Sequence, residues 1–270
     1  MQPNAALDAL RTQSPLVHCI TNYVAMNIAA NVTLAAGASP AMIHAPEEVA
    51  DFALIAGALT INIGTLSTPW LESMKAAAVA ANAAKVPWVL DPVAHFATPY
   101  RAKAALDLLA IKPSIVRGNA SEIIALAGGA GSGKGADSGD RVSDAQRSAR
   151  ALAVRHDCIV AVSGPVDFIT DGKRSASITG GSDIMPTVTA LGCALTALVG
   201  AYAAIAPRFE ATIAAFVHFA EAGERAGAET SGPGSFSVAF LDTLHALQTG
   251  DLLEARVSWN CFHAAFGCIW

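Results

Sequence analysis

Residues 87–119 read P-W-V-L-D-P-V-A-H-F-A-T-P-Y-R-A-K-A-A-L-D-L-L-A-I-K-P-S-I-V-R-G-N. A short apolar run closes on Asp91, an Ala- and Leu-rich stretch occupies 98–110, and a second short apolar run, from Ser114, closes on Arg117. Short apolar runs bounded by polar or Gly signals suit strands buried on both faces, and the stretch between them is long enough for a helix. Strand, helix, strand is the repeating unit of a parallel sheet covered on both sides.

The unit recurs outward in both directions. The pattern predicts strands at Leu16–Ile20, Leu59–Ile63, Trp88–Asp91, Ser114–Arg117 and Ile159–Ser163, with helices near 22–36, 68–84, 98–110, 119–127 and 142–156. Val166–Thr170 and Lys173–Ile178 flank a D-G pair and read as a hairpin. From 189 the pattern is helical through Leu247, broken at S-G-P-G (231–234). No composition shift marks a linker. The expectation is one α/β domain over 1–250, a mostly parallel central sheet between two layers of helices, followed by a tail at 251–270. That tail holds two tryptophans and two cysteines in the uncharged run V-S-W-N-C-F-H-A-A-F-G-C-I-W, and nothing in its composition assigns it a role.

Composition narrows the class. Of 270 residues 53% are apolar and 14% charged, against roughly 25% charged in an average soluble domain. The chain can bury a large core, and so sparse a surface charge points to faces covered by other subunits. A net charge of −5 without a basic cluster excludes a nucleic-acid site. The N-terminal M-Q-P-N-A-A-L-D-A-L-R-T-Q lacks the apolar core of a secretory leader, so a cytoplasmic protein is expected. Cys19, Cys158, Cys193, Cys261 and Cys268 are odd in number and lack metal-type spacing, which fits reduced thiols. The uncharged interior of Asp183–Arg208 is long enough to span a bilayer. Its alanines drive insertion weakly, however, and with Pro186, the threonines and the glycines it suits a buried helix of a soluble protein.

That stretch also places Gly192-Cys193 at the start of a helix, where free backbone N–H groups can meet an anion. In an open parallel sheet ligands collect at the carboxyl ends of the strands. Asp91, Arg117 and Ser163 close three different predicted strands and so should reach one edge. Asp91 alone could serve as a helix cap, and Glu122, three residues after Asn119, could close a capping box. Taken together, two acids, an arginine and a glycine-led helix N-terminus form the set needed for phosphoryl transfer, with acids for Mg²⁺ and donors for the phosphate. The run G-G-A-G-S-G-K-G (128–135) falls one residue short of a P-loop and follows a helix rather than a strand, so it reads as a surface loop.

Seven motifs carry a resemblance: C-I-T-N-Y-V-A-M-N (19–27), G-A-S-P-A-M-I-H-A (37–45), I-N-I-G-T-L-S (61–67), D-P-V-A-H-F-A-T-P-Y-R (91–101), R-G-N-A-S-E-I (117–123), G-K-G-A-D-S (133–138) and G-P-G-S-F (232–236). In this order, over residues 14–247, the chain resembles hydroxyethylthiazole kinases of thiamine salvage. The resemblance implies a three-layer ribokinase-like fold, ATP as co-substrate with Mg²⁺, and a homotrimer with active sites between subunits. Position by position, it implies that Met42, Asn22 and Ala190 border the thiazole alcohol and that Arg117 and Ser163 contact ATP. Asp91 and Glu122 then hold metal and phosphate, and Cys193 lies beside the reacting hydroxyl. A thiol with an ordinary pKa of about 8.5 is a poor base at neutral pH unless the helix N-terminus lowers it. The chain departs from the family at Thr189-Ala190-Leu191-Gly192-Cys193, where the pattern has T-G-T-G-C. If position 190 needs positive φ, alanine costs on the order of 1 kcal/mol there. The same fold would also suit a kinase of another small alcohol, such as a hydroxymethylpyrimidine, or a trimer that binds thiazole or nucleotide without useful turnover.

Overall fold

The computed structural model describes residues 1–132 and 138–261. Its strands are β1 (Leu16–Ile20), β2 (Ser39–Ala41), β3 (Ala58–Asn62), β4 (Trp88–Asp91), β5 (Ile115–Asn119), β6 (Ile159–Ser163), β7 (Val166–Thr170), β8 (Arg174–Thr179) and β9 (Val257–Cys261). The helices are α1 (Pro3–Gln13), α2 (Met26–Ala36), α3 (Val49–Ile55), α4 (Thr68–Ala83), α5 (Pro99–Ala110), α6 (Ala120–Leu126), α7 (Val142–His156), α8 (Leu191–Ala203), α9 (Arg208–Glu229) and α10 (Pro233–Ala246). The strands form one sheet in the order β2-β1-β3-β4-β5-β6-β7-β8-β9. Neighbours are parallel from β2 through β6 and antiparallel from β6 to β9.

Successive side chains of the central strands enter opposite layers, which is why those strands read as continuous apolar runs. Val89 and Ile115 join a core with α1, α2, α8, α9 and α10, whereas Trp88, Leu90 and Val116 join one with α4, α5, α6 and α7. Both faces of the sheet are therefore covered, giving three layers. The uncharged α8 fits this burial: every residue from Ala194 to Ala203 is buried. At Gly200 an added Cβ would come within 2.4 Å of Thr60 Cγ2, so a small residue lets the helix touch β3. Among the described residues no helix is long and apolar enough to cross a membrane.

The structure adds elements that the pattern hides. In α1, Ala6, Leu7 and Leu10 pack into the core. The short α3 buries only Val49 and Ala53. Ser39–Ala41 contains a proline, which an edge strand tolerates. Residues 22–25 form a turn before α2 rather than its first turn, because Asn22 Oδ1 accepts the Ala25 N–H at 2.9 Å. Pairing of β5 continues past Arg117 to Asn119, opposite Ser163, so Arg117 lies within its strand rather than closing it. The hairpin forms as predicted, with Gly172 at φ 89° in its turn. Val257–Cys261, within the segment read as a tail, pairs with β8 as the last strand of the sheet. The glycine-rich run at 128–135 does follow a helix, α6; its residues 133–135, and most of the G-K-G-A-D-S motif, lie outside the described residues.

Candidate active site

The carboxyl ends of β1, β3 and β4 carry Asn22, Asn62 and Asp91, and these form one chain of side-chain hydrogen bonds. Asn22 Nδ2 donates to Asn62 Oδ1 at 2.8 Å, and Asn62 Nδ2 donates to Asp91 Oδ2 at 2.7 Å. Asn62 Oδ1 also accepts the Gly64 N–H at 2.9 Å, so both ends of that amide are committed and its orientation is set by its partners. Thr196 on α8 closes the network from above, its hydroxyl donating to Asp91 Oδ2 at 2.7 Å.

Asp91 is fully buried. The Arg117 guanidinium stands 3.5 Å from its Oδ2, while Oδ1 has no hydrogen-bond partner. Burial holds this carboxyl above its ordinary range, outweighing the opposing pull of Arg117, Thr196 and Asn62. Glu122 occupies the first turn of α6, where local and long-range roles coincide. Its Oε2 accepts the Asn119 N–H at 2.8 Å while Asn119 Oδ1 accepts the Glu122 N–H at 2.9 Å, which is the expected capping box. Its Oε1 accepts the Ala94 N–H at 2.8 Å, tying α6 to the loop after β4. Burial, and then the nearby Asp91 charge, push Glu122 up to about 7.

Arg117 connects this acid corner to a second compartment. Its guanidinium donates to Ser163 Oγ at 2.6 Å, and a Cβ added at Gly192 would lie 3.1 Å from the same group, so the first turn of α8 rests against the cation. Beyond it opens a cavity of about 570 Å³, with Arg117, Ser163 and Asp167 at its polar end and Leu195, Phe216 and Phe219 along its apolar wall. A larger cavity, about 740 Å³, lies at the opposite edge of the sheet between Lys85, Lys112 and Arg155, away from both acids. Asp167 accepts the Gly164 N–H at 2.9 Å, and burial pushes it up to about 7.

Cys193 faces the acid corner, its Sγ 3.5 Å from Asn22 Nδ2. The helix N-terminus does not bring the thiol down: burial, then the Asp91 charge, push it up to about 11, so it stays protonated at neutral pH. Ala190, immediately before α8, sits at φ 59°, ψ 11°. The condition for strain is thus met, because left-handed backbone disfavours any residue with a Cβ. Met42 is half-buried just past β2, at the same edge; there the carbonyl of the next residue, Ile43, lies 2.6 Å from His18 Nε2. Sequence reasoning gave no role to Asn62, Thr196, Arg101 or Asp167. Asn62 lies in a quoted motif at a predicted strand, and Thr196 follows Cys193 by one helical turn, so a faint signal existed for both.

A mostly parallel sheet of this order, with acids, an arginine and a helix N-terminus converging on its carboxyl edge, defines a ribokinase-like small-molecule kinase. The solved hydroxyethylthiazole kinase of Pyrococcus horikoshii OT3 superposes with a TM-score of 0.87 at 37% identity, covering 96% of this chain and 98% of that one. The ADP complex of Staphylococcus aureus pyridoxal kinase, at TM-score 0.60 and 18% identity over 77% of this chain and 87% of that one, shares the fold alone. Residues 7–250 match the hydroxyethylthiazole kinase family. The hydroxyethylthiazole kinase of Roseobacter denitrificans is 62% identical over 254 residues, 94% of this chain and 99% of that protein. That of Rhizobium etli strain CIAT 652 is 65% identical over 252 residues, 93% and 97% respectively. The chain belongs to the hydroxyethylthiazole kinase family.

Proposed function

We propose that this chain transfers the γ-phosphoryl group of ATP to the primary hydroxyl of 5-(2-hydroxyethyl)-4-methylthiazole. The observation that carries the reading is the meeting of three groups at one point: buried Asp91, the Arg117 guanidinium and the first turn of α8, linked through Thr196 and Gly192. Charge for phosphoryl transfer is needed at such a junction.

In this reading Arg117 and Ser163 bind the polyphosphate in the adjoining cavity. The backbone N–H groups at the start of α8 face the transferred phosphoryl group. Met42, Asn22 and Ala190 border the thiazole, with Cys193 beside its hydroxyl. A thiol protonated at neutral pH orients that hydroxyl rather than deprotonating it, so the rate rests on alignment and on charge around the phosphoryl group. The acid corner fits a hard divalent cation: two buried acids are held above their ordinary range, and Asp91 Oδ1 is unpartnered. Both Glu122 oxygens already accept backbone N–H groups, so a role through water suits it better than direct ligation. Among the described residues no cluster of three or more His, Cys, Asp or Glu could hold a metal alone, which leaves coordination to be completed by phosphate and water. Mg²⁺ bound there would neutralise charge on the transferred group.

One observation favours a second reading. Ala190 carries a methyl on left-handed backbone beside the substrate position, and such a change could select another small alcohol, a hydroxymethylpyrimidine among them. Coupled ATP turnover with each alcohol, beside calorimetric binding of each, separates the readings. Turnover on the thiazole alcohol supports the first, turnover on the pyrimidine alone the second, and binding without turnover a catalytically weak binding protein.

We also propose a homotrimer in which Met42 of one subunit and Cys193 of the next complete a site. Exposed Val24 and Leu34, before and along α2, and exposed Val238 on α10, which packs against α2, are apolar surface that self-association would cover; the number three comes from the family resemblance. Light scattering showing a stable, active monomer would refute it. Free Cys19, Cys158 and Cys193 suit a reducing, cytoplasmic setting.

A further inference from the structure

Arg101 sits on the first turns of α5, and its guanidinium reaches across the carboxyl edge to two loops at once. It donates to Ile63 O at 2.7 Å and Gly64 O at 3.0 Å after β3, and to Ala94 O at 3.1 Å and Val93 O after β4. Among the described residues no carboxylate lies within ion-pair range of it. A cation satisfied by four carbonyls is a spacer between two backbones, and a rigid planar fork suits that task better than a lysine ammonium.

The two loops it joins are the ones that aim the acid corner. The Gly64 N–H holds Asn62 Oδ1, and Asn62 in turn holds Asp91; the Ala94 N–H holds Glu122 Oε1. Room to shift is small, since a Cβ added at Gly64 would meet Asn22 Nδ2 at 2.5 Å. Ala94 itself is left-handed at φ 48°, a conformation that persists only where its surroundings over-determine it. Its N–H is fixed by Glu122 and its C=O by Arg101.

We infer that Arg101 is a positioning residue for phosphoryl transfer: it sets the spacing of the loops after β3 and β4 and thereby the aim of Asp91 and Glu122, without touching either substrate. This rests on the kinase reading above, and the two can fail separately. The native chain is first assayed for turnover on the thiazole alcohol and on a hydroxymethylpyrimidine, and its absence on both would sink the reading itself. On whichever alcohol turns over, Arg101→Lys keeps the charge and loses the fork. The expected result is a kcat at least tenfold lower per folded molecule, with KM for alcohol and for ATP each within threefold. A kcat within twofold of the native value would overturn the inference, as would a loss confined to KM. If Arg101→Lys does not fold, Arg101→Gln, which keeps an amide donor in the same space, is held to the same two criteria. Should neither variant fold, Arg101 is a structural residue and the inference falls.

Discussion

Two alanines in this site hold left-handed backbone, and they are braced differently. Ala94, at φ 48°, has its N–H bound by Glu122 and its carbonyl by Arg101. Ala190, at φ 59°, begins α8 with no side-chain cap, and its carbonyl accepts the Ala194 N–H at 3.0 Å as any helix start would. Left-handed backbone costs an alanine on the order of 1 kcal/mol at either place. At Ala94 that cost is locked into a cross-linked corner, where it fixes geometry. At Ala190 it loads the lip of the helix that, in the proposed reading, faces the substrates, where relief would change the rate.

The largest effect is expected at the braced corner. Asp91→Asn should lower kcat roughly 10²–10³-fold, by analogy with loss of one preorganised charge-stabilising group, and leave alcohol affinity nearly unchanged; steady-state kinetics with calorimetry checks both. At the lip, the double change Ala190→Gly with Leu191→Thr should raise kcat on the thiazole alcohol several-fold, the scale of about 1 kcal/mol. An equal or lower kcat with the fold intact would mean the loop is adapted to its present residues or to another substrate.

Titration should divide the two regions as well. Glu122, pushed up to about 7, carries a proton in much of the free enzyme below that value. Activity as kcat/KM should therefore fall by about tenfold per unit below pH 7 and level off above it. Cys193, pushed up to about 11, should add no inflection between pH 7 and 9. A thiol-type inflection in that interval would restore Cys193 as a base. Stability carries the same signature. The folded Glu122 holds its proton more tightly than the unfolded chain, whose carboxyl titrates near 4.5. Its contribution is therefore fully present below 4.5 and is lost as pH rises through about 7, a trend that bound Mg²⁺ should offset. The smallest effect is expected from Ala94→Gly. With both peptide groups already held, relief of strain should leave kcat within about twofold, and a change as large as that of the Ala190 variant would remove the distinction between the loops.

Much of this was legible in the chain. Strands buried on both faces write themselves as unbroken apolar runs, so Asp91 and Ser163 stood out as the polar residues closing them. Arg117 was found although its strand runs two residues further, because pairing with β6 continues through Gly118 and Asn119, which read as a stop. Glu122 was visible through its capping box, but its hold on Ala94 comes from a loop 28 positions away. Thr196 meets Asp91 across 105 positions, and no local pattern encodes that contact. Arg101 lay inside a quoted motif and went without a role, since a guanidinium that binds only carbonyls leaves no paired acid in the sequence to betray it. The strained Ala190 was legible only conditionally: the sequence supplied the residue, and the fold supplied the positive φ.

In the proposed reading the acid corner acts on the transferred phosphoryl group rather than on folding or alcohol binding. Glu122→Gln is the sharpest test, because the single amide oxygen of glutamine can still accept the Asn119 N–H of the capping box while the charge, and with it the hydrogen bond from the Ala94 N–H, is lost. Turnover and calorimetric affinity for the thiazole alcohol should be measured on the same preparation. The expected result is a kcat lower by roughly 100-fold or more, with alcohol affinity unchanged within about twofold. Weakened alcohol affinity with unchanged kcat would contradict it and make Glu122 a helix cap alone.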